Sequence, residues 1–140
     1  MIILDTNVVS EPLRPRGSDK VTAWLDAQAP ETLYLTAINA AELWAGVALL
    51  AEGSRKRTLE ASLADLLDRL FGGRLLDFDR RAARAYAEIT RTTTAAGVPL
   101  PLADGLIAAI ALAHGFAVAT RDTTPFRAAG IEVIDPWGDD

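Results

Sequence analysis

Short apolar runs alternate with longer segments of helical periodicity along the whole chain. Five of these runs are predicted as strands: residues 2–4, 33–35, 75–76, 116–119 and 131–134. Strands that alternate with helices are joined by crossovers, and such strands form a parallel sheet with helices on both faces. The pattern therefore predicts an α/β fold in which a central parallel β-sheet is flanked by α-helices.

Capping residues predict where the helices begin and end. Five helices are predicted: from Ser18 or Asp19 to about Ala29, from Thr36 to Gly53, over residues 54–71, from Asp79 to about Ala95, and from Ala103 to His114. Residues 5–7 are predicted as a turn after the first strand, and residues 122–126 as a loop. No repeat or interdomain linker is found, so residues 1–140 are expected to form one domain.

Composition and charge exclude several classes of protein. Half of the 140 residues are hydrophobic and 24% are charged, which favours an ordered globular fold over a disordered one. The chain has no cysteine, so it has no disulfide framework and no thiolate metal site. Its longest weakly polar stretch, residues 106–119, is shorter than the ~20 residues of a membrane span. We expect a cytoplasmic protein that does not enter membranes.

The net charge of −5 argues against binding nucleic acid through overall charge. Basic residues do cluster locally, at residues 14–16, 55–57 and 80–84, where solvated helix faces and loop ends are the simplest interpretation. Any contact with nucleic acid must therefore be made by a local site.

Three carboxylates stand alone in apolar sequence. Asp5 is the only charged residue among the first ten, Glu42 the only one in residues 32–51, and Asp104 the only one in residues 92–120. At helical spacing Glu42 shares a face with Ile38 and Leu49, and Asp104 shares one with residues 108 and 111. Both faces are predicted to point inward, where an uncompensated carboxylate is unfavourable by several kcal/mol. A bound metal ion is the simplest counter-charge.

The residue types also predict which metal would bind. Asp5 and Asp122 both follow predicted strands, at the sheet edge where ligands of α/β proteins collect. Carboxylates without a histidine or cysteine partner favour a hard cation, Mg²⁺ or Mn²⁺, which keeps waters for phosphate groups. Such an ion supports hydrolysis of a phosphodiester.

Each of these acids also has a structural interpretation. Asp5 can make an Asx turn, and Asp122 can be an ordinary turn residue. Glu42 can complete a capping box with Asn39, and Asp104 can interact favourably with the positive end of its helix dipole. Three further acids, Asp77, Asp79 and Asp135, are interpreted as structural, with Asp79 as a helix N-cap. The single histidine, His114, is interpreted as part of a C-terminal cap.

The order of the motifs resembles the PIN-domain family, and within it the VapC and FitB-like toxins. The segments that carry the resemblance are ILDTNVVS at 3–10, AEL at 41–43, PLADGLIAA at 101–109, ATRD at 119–122 and IDPW at 134–137. They span nearly the whole chain, and residues 54–73 are the least diagnostic. Each motif alone is weak evidence for the family, whereas four motifs with their acids in this order are strong evidence for it.

This resemblance implies an activity and partners. It implies RNA cleavage that depends on Mg²⁺ or Mn²⁺ and neutralisation by an antitoxin protein. It also implies a homodimer, with a larger hetero-oligomer as the alternative when the antitoxin is bound. Asp5 and Asp104 are the expected direct metal ligands, and Glu42 and Asp122 bind directly, through water, or to a second ion. The remaining expected site residues, which would position water or phosphate, are Thr6, Asn7, Thr120 and Arg121.

Two other classes of protein compete with this interpretation. Aspartyl-phosphate hydrolases and phosphotransferases also begin with a strand and an aspartate. A chain that resembles them has an Asp-x-Asp motif after the strand and an essential lysine later in the sequence. Here Asn7 takes the third position and no lysine follows Lys56. A catalytically weak or inactive PIN-fold binding module is the stronger alternative, and the presence of all four acids argues against it.

Overall fold

A computed structural model describes residues 1–138 and contains a five-stranded sheet in the order β3-β2-β1-β4-β5. Every pair of neighbouring strands is parallel. The strands are β1 (Ile2–Leu4), β2 (Leu33–Thr36), β3 (Leu75–Leu76), β4 (Ala117–Ala119) and β5 (Val133–Ile134). The predicted α/β class and parallel sheet are thus confirmed.

Seven α-helices are found in the described part of the chain. They are α1 (Thr6–Val9), α2 (Asp19–Asp26), α3 (Ala37–Ala48), α4 (Ser54–Asp65), α5 (Arg80–Ala96), α6 (Leu102–His114) and α7 (Thr123–Ala128). Single 3₁₀ turns occur at Glu11–Leu13, Pro30–Thr32 and Gly72–Arg74. Helix starts follow the predicted caps, since Ser18, Thr36 and Asp79 each accept a backbone hydrogen bond from the first turn.

The alternating side chains of the strands divide the core into two layers. Ile3 and Val118 pack with α5, α6 and α7 on one face of the sheet. Leu4 and Ala119, the next residues along, pack with α1 to α4 on the other face. Because both faces of β1 and β4 are covered, these strands have the continuous apolar sequences of a buried parallel sheet.

Several segments differ from the sequence predictions. The helix predicted to reach Gly53 ends at Ala48, the helix predicted to about Ala29 ends at Asp26, and the strand predicted over residues 131–134 is Val133–Ile134. Residues 6–9 form a short helix instead of a turn, and the helix predicted over residues 54–71 ends at Asp65 and continues as a π-helical turn, Leu66–Leu70. The predicted loop at 122–126 is mostly the helix α7. Phe126 is fully buried there, and Pro125 lies in the first turn, where its missing N–H is tolerated. Tertiary burial therefore outweighed the local loop signal.

The strand order places a topological switch beside β1. Chain connections lead from β1 to β2 on one side, while β4 lies against β1 on the other side. Ligands of open α/β sheets bind at the carboxyl ends of strands at such a point. Among residues 1–138, no helix has both the length and the apolar character needed to cross a membrane.

Candidate active site

Asp5 lies directly after β1 and is the most buried acid of the site, with 5% of its surface exposed. Its Oδ1 accepts a hydrogen bond from the backbone N–H of Thr6 (2.8 Å), so Asp5 is the N-cap of α1, whereas the structural interpretation was an Asx turn. Its Oδ2 accepts a second bond from the Thr120 hydroxyl (2.7 Å). The carboxylate is therefore fixed in orientation at the sheet edge while keeping lone pairs for a further ligand.

Thr120 is a buried residue that holds Asp5 in place. Its side chain is fully buried, and its hydroxyl both donates to Asp5 and accepts from the backbone N–H of Asp122 (3.0 Å). That Thr120 positions water or phosphate stays a prediction; the structure shows its hydroxyl bonded to Asp5 and to the backbone of Asp122. It acts by positioning two acids.

Asn7 joins the two halves of the site. Its Nδ2 donates long hydrogen bonds, both of 3.4 Å, to Oδ2 of Asp5 and to Oδ2 of Asp122. Its Oδ1 accepts from the backbone N–H of Arg121, also at 3.4 Å. Bonds of this length are weak, so Asn7 can adjust when a ligand enters. Asp122 is exposed, and its side chain makes no capping bond to α7, which argues against a plain turn role.

A chain of polar groups orients Glu42. The Thr6 hydroxyl donates to Oε1 of Glu42 (2.8 Å) and accepts from the side-chain amide of Asn39 (3.1 Å). Asn39 is fully buried and completes a capping box with Thr36. The sequence analysis paired Asn39 with Glu42 as an alternative capping box, whereas the structure pairs it with Thr36. Asn39 is a positioning residue that sequence reasoning missed, although a lone asparagine three residues after a cap was its signal.

The face of α3 that carries Glu42 is exposed, which contradicts the prediction that it points inward. Glu42 and Gly46 are exposed, and Leu49 has 87% of its surface exposed. The buried residues of α3 lie at other positions, Asn39 and Ala40. Of this predicted face, Ile38 packs against the core, whereas the positions from Glu42 onward are exposed.

Asp104 lies in the first turn of α6, and the face that it shares with Ala108 and Ala111 is buried as predicted. Burial, and after it the negative charges of Asp5, Asp122 and Glu42, together raise the pKa of Asp104 to about 6. Gly105 allows α6 to approach α5, since a Cβ there would lie 3.0 Å from the Tyr86 ring. The start of α6 is thus held close to the other acids.

The four acids act on one another as a single cluster. Burial raises the pKa of Asp5, and the charges of Glu42 and Asp122 raise it further, against the lowering effect of its hydrogen bonds. None of the ion pairs found in residues 1–138 includes any of the four. Among the ion pairs of the described residues, none therefore neutralises the cluster.

A hard divalent cation fits the donor chemistry of this cluster. All the donors are carboxylate oxygens without a nearby cysteine or histidine, as Mg²⁺ and Mn²⁺ prefer. In residues 1–138, no three acidic or imidazole side chains already converge closely enough to enclose one ion.

The remaining predicted residues have mainly structural roles. Asp79 caps α5 through the N–H of Ala82 (3.0 Å), which lowers its pKa. Gly115, in the left-handed conformation, is the C-cap of α6, while His114 is the last helical residue and its ring packs beside Phe116. Asp135 accepts from the N–H of Trp137 (2.9 Å). Arg121 is exposed at the site and is treated below.

A parallel sheet with four acids gathered at its switch point defines a recognisable class of protein. A family model described as PIN domain matches residues 2–131, and the chain belongs to this family. The resemblance inferred from the motifs is thereby confirmed.

Particular relatives cover almost the full length of both chains. The plasmid stability protein StbB of Pseudomonas syringae pv. tomato is 53% identical over 98% of this chain and 99% of its own. The toxin FitB of Neisseria gonorrhoeae is 49% identical over 99% of this chain and 100% of its own. The VapC ribonuclease Y4jK of Sinorhizobium fredii is 47% identical over 98% of each chain.

Solved structures agree with these relatives. The chain is similar to one in the crystal structure of FitAcB from Neisseria gonorrhoeae, with a TM-score of 0.94 and 49% identity over 98% of this chain and 99% of that one. It is also similar to one in FitAB bound to a DNA fragment, with a TM-score of 0.97 and 46% identity over 100% of this chain and 98% of that one.

Proposed function

We propose that the protein is a metal-dependent endoribonuclease that hydrolyses RNA phosphodiester bonds and acts in the cytoplasm as the toxin of a toxin–antitoxin pair. The observation that carries the proposal is the cluster of Asp5, Glu42, Asp104 and Asp122, which forms no ion pair within residues 1–138 and in which burial and mutual repulsion raise the pKa of Asp5 and Asp104. A VapC ribonuclease and a FitB toxin among the relatives support the substrate class and the biological role.

The residues divide into ligands and supports. Asp5 and Asp104 would hold Mg²⁺ or Mn²⁺ directly, with Glu42 and Asp122 binding it directly, through water, or at a second ion. The bound ion supplies the activation of water and the stabilisation of charge that develops on the phosphate. Thr120 fixes Asp5, and the Thr6 hydroxyl fixes Glu42. These hydroxyls orient the carboxylates before the substrate arrives, which is the role of outer groups around metal ligands.

Cleavage of RNA by the purified chain tests the activity. We expect a mixed RNA pool to be cut with Mg²⁺ or Mn²⁺ and to stay intact in excess chelator. Asp104→Asn should lower the rate by more than about 100-fold, because loss of a ligand exceeds the effect of losing an outer support. Asp19→Asn is the matched control, since Asp19 also lies in the first turn of a helix but is not among the charges that act on Asp5 or Asp104.

The outcomes separate the proposal from its main alternative. Equal cleavage in chelator, or a normal rate for Asp104→Asn, would contradict the metal mechanism. A chain that binds RNA or a protein partner and never cleaves with either ion would instead be an inactive PIN-fold binding module.

The toxin role has a separate test in cells. The complexes FitAB and FitAcB among the similar structures support an antitoxin partner, and an exposed acidic site is complementary to a basic side chain of such a partner. Expression of the chain alone should arrest bacterial growth, and co-expression of a small protein encoded beside it should restore growth. Asp104→Asn should be harmless alone, and unchanged growth with the active chain would contradict the toxin role. Measurement of the molecular mass of the free chain in solution tests the expected homodimer. The same measurement on the complex with the antitoxin tests the larger hetero-oligomer.

A further inference from the structure

Arg121 and Trp137 form a stacked pair beside the carboxylate cluster. The guanidinium carbon of Arg121 lies 5.2 Å from the centroid of the Trp137 ring, within the range of a cation–π interaction. Arg121 immediately precedes Asp122, and its backbone N–H donates to Asn7, the residue that joins Asp5 and Asp122. The pair is thus connected to the site through the backbone, while the charged end of Arg121 rests on an aromatic face.

The Trp137 ring is held in place independently of Arg121. Its backbone N–H donates to the Asp135 side chain (2.9 Å), and the N–H of Gly138 donates to the backbone carbonyl of Asp135 (3.0 Å). The half-buried ring packs against the core layer that contains Leu4 and Ala119. The indole therefore packs against the core, and the Arg121 guanidinium lies over its ring.

Arg121 does not neutralise the carboxylates next to it. Within residues 1–138, its guanidinium has neither a hydrogen bond nor an ion pair with any acid, although Asp122 is the next residue. Its charge is not among the influences on the pKa of Asp5 or Asp104. A flexible arginine beside four acids would be expected to pair with them, so contact with the indole offers a competing position that keeps the charge available for an anion.

We propose that Trp137 is a positioning residue that holds the Arg121 guanidinium beside the acidic cluster to bind a backbone phosphate of the RNA. This inference rests on the proposed ribonuclease function and deepens it. A strand of RNA approaching an acidic cluster is repelled by it, and a cation at its rim compensates this repulsion for a neighbouring phosphate. Arginine suits this role because its planar fork donates two hydrogen bonds to phosphate oxygens and stacks on aromatic rings.

Binding of single-stranded RNA at several salt concentrations tests the pair. All proteins carry Asp104→Asn, so that the labelled RNA stays intact, and affinity is measured by fluorescence anisotropy with Mg²⁺ present. Arg121→Gln should weaken binding by about tenfold or more, as expected for loss of a charge-assisted hydrogen bond. It should also reduce the slope of log affinity against log salt by about 0.7, the contribution of one single-strand phosphate contact.

The Trp137 variants distinguish positioning from packing and from base stacking. Trp137→Leu keeps apolar volume but removes the aromatic face, and should weaken binding about two- to fivefold, the strength of an exposed cation–π contact. Trp137→Phe keeps a ring and should bind nearly as well as the reference. The double variant Arg121→Gln with Trp137→Leu should bind no more weakly than Arg121→Gln alone, because Trp137 acts through Arg121.

Three results would overturn the inference. Equal affinity and equal salt slope for Trp137→Leu and the reference would show that the ring does not position Arg121. A further loss in the double variant would show that the ring contacts a base directly. A loss for both Trp137→Leu and Trp137→Phe that matches a fall in melting temperature would show a purely structural role. Absence of RNA binding by the reference would also contradict this inference, whereas the proposed function is decided separately, by RNA cleavage with the unmodified chain.

Discussion

Helices α6 and α3 each carry one acid in an apolar stretch, but their apolar faces meet different surroundings. Around Asp104, residues 107–111 of α6 are fully buried between the sheet and α5. Around Glu42, α3 exposes Trp44 to 40% and Leu49 to 87%. Asp104 is therefore partly desolvated by its own chain, whereas Glu42 lies at the rim and is held by one hydroxyl from Thr6.

The difference shows what apolar periodicity can and cannot predict. The same spacing of apolar residues marks a fully buried face in α6, whereas in α3 the face around Glu42 is exposed and other residues of the helix pack on the core. Large exposed apolar side chains beside a functional site are typical of surfaces that meet another molecule. A lone acid in apolar sequence can therefore indicate either a buried ligand or an acid at the edge of such a surface.

The largest expected contrast is in stability. Ile107→Ala in α6 removes a fully buried side chain and should lower the free energy of unfolding by about 2–5 kcal/mol. Leu49→Ala in α3 should change it by no more than about 0.5 kcal/mol, because the side chain is exposed. Urea denaturation of both variants, with unchanged m-values, measures this contrast. Similar losses of unfolding free energy for both variants would mean that the α3 face is covered in solution, as it would be in a tight homodimer.

Metal binding should separate Asp104 from an ordinary helix-start acid. If only the folded state binds Mn²⁺, a hundredfold excess over the dissociation constant stabilises it by about 2.7 kcal/mol. Asp104→Asn without metal should be at least as stable as the unmodified chain, since one repelling charge is gone, and should gain less from Mn²⁺. Thermal melts with chelator and with Mn²⁺ measure both effects, with Asp19→Asn as the control.

A helix-start role would give a different pattern in the same melts. The substitution would then lower stability by about 0.3–1 kcal/mol equally with and without Mn²⁺, through lost interaction with the helix dipole. Such an equal loss would place the metal away from Asp104.

Support of Glu42 by Thr6 should have a smaller effect on catalysis than loss of a ligand. Thr6→Val removes the hydroxyl that donates to Glu42 and keeps the side-chain shape, so we expect cleavage to fall by about tenfold, at the lower end for outer supports. Thr6→Ser should restore most of the rate. Single-turnover cleavage measures the change, and equal rates for Thr6→Val and the unmodified chain would show that Glu42 needs no fixed orientation.

The smallest expected effect is on pH dependence without metal. The folded-state pKa of Asp104 is raised to about 6 from its ordinary 3.8, so its contribution to stability is fully present below about pH 3.8 and is lost as the pH rises through 6. Between pH 4 and 7 the chain should lose stability relative to Asp104→Asn, by less than about 1 kcal/mol because solvent screens a partly exposed group. Chemical denaturation in chelator measures this difference, and a constant difference over the range would contradict a raised pKa.

The sequence by itself determined the strands, most helix starts and the identity of the four acids. These features depend on local patterns: β-branched runs, capping residues and lone charges in apolar sequence. The caps at Ser18, Thr36 and Asp79 form within three residues, so neighbouring residues contain all the information needed. The resemblance to family motifs indicated that these four acids belong to one site.

Only the tertiary structure decided how these parts meet. Thr120 and Asp5 are 115 residues apart, and they bond because β4 pairs with β1, a register that no local pattern contains. The contact between Arg121 and Trp137, the support of Glu42 by Thr6 and Asn39, and the exposure of the α3 face likewise depend on packing between distant segments. Burial is a property of the whole assembly of helices and sheet, so equal apolar spacing in α3 and α6 led to opposite environments.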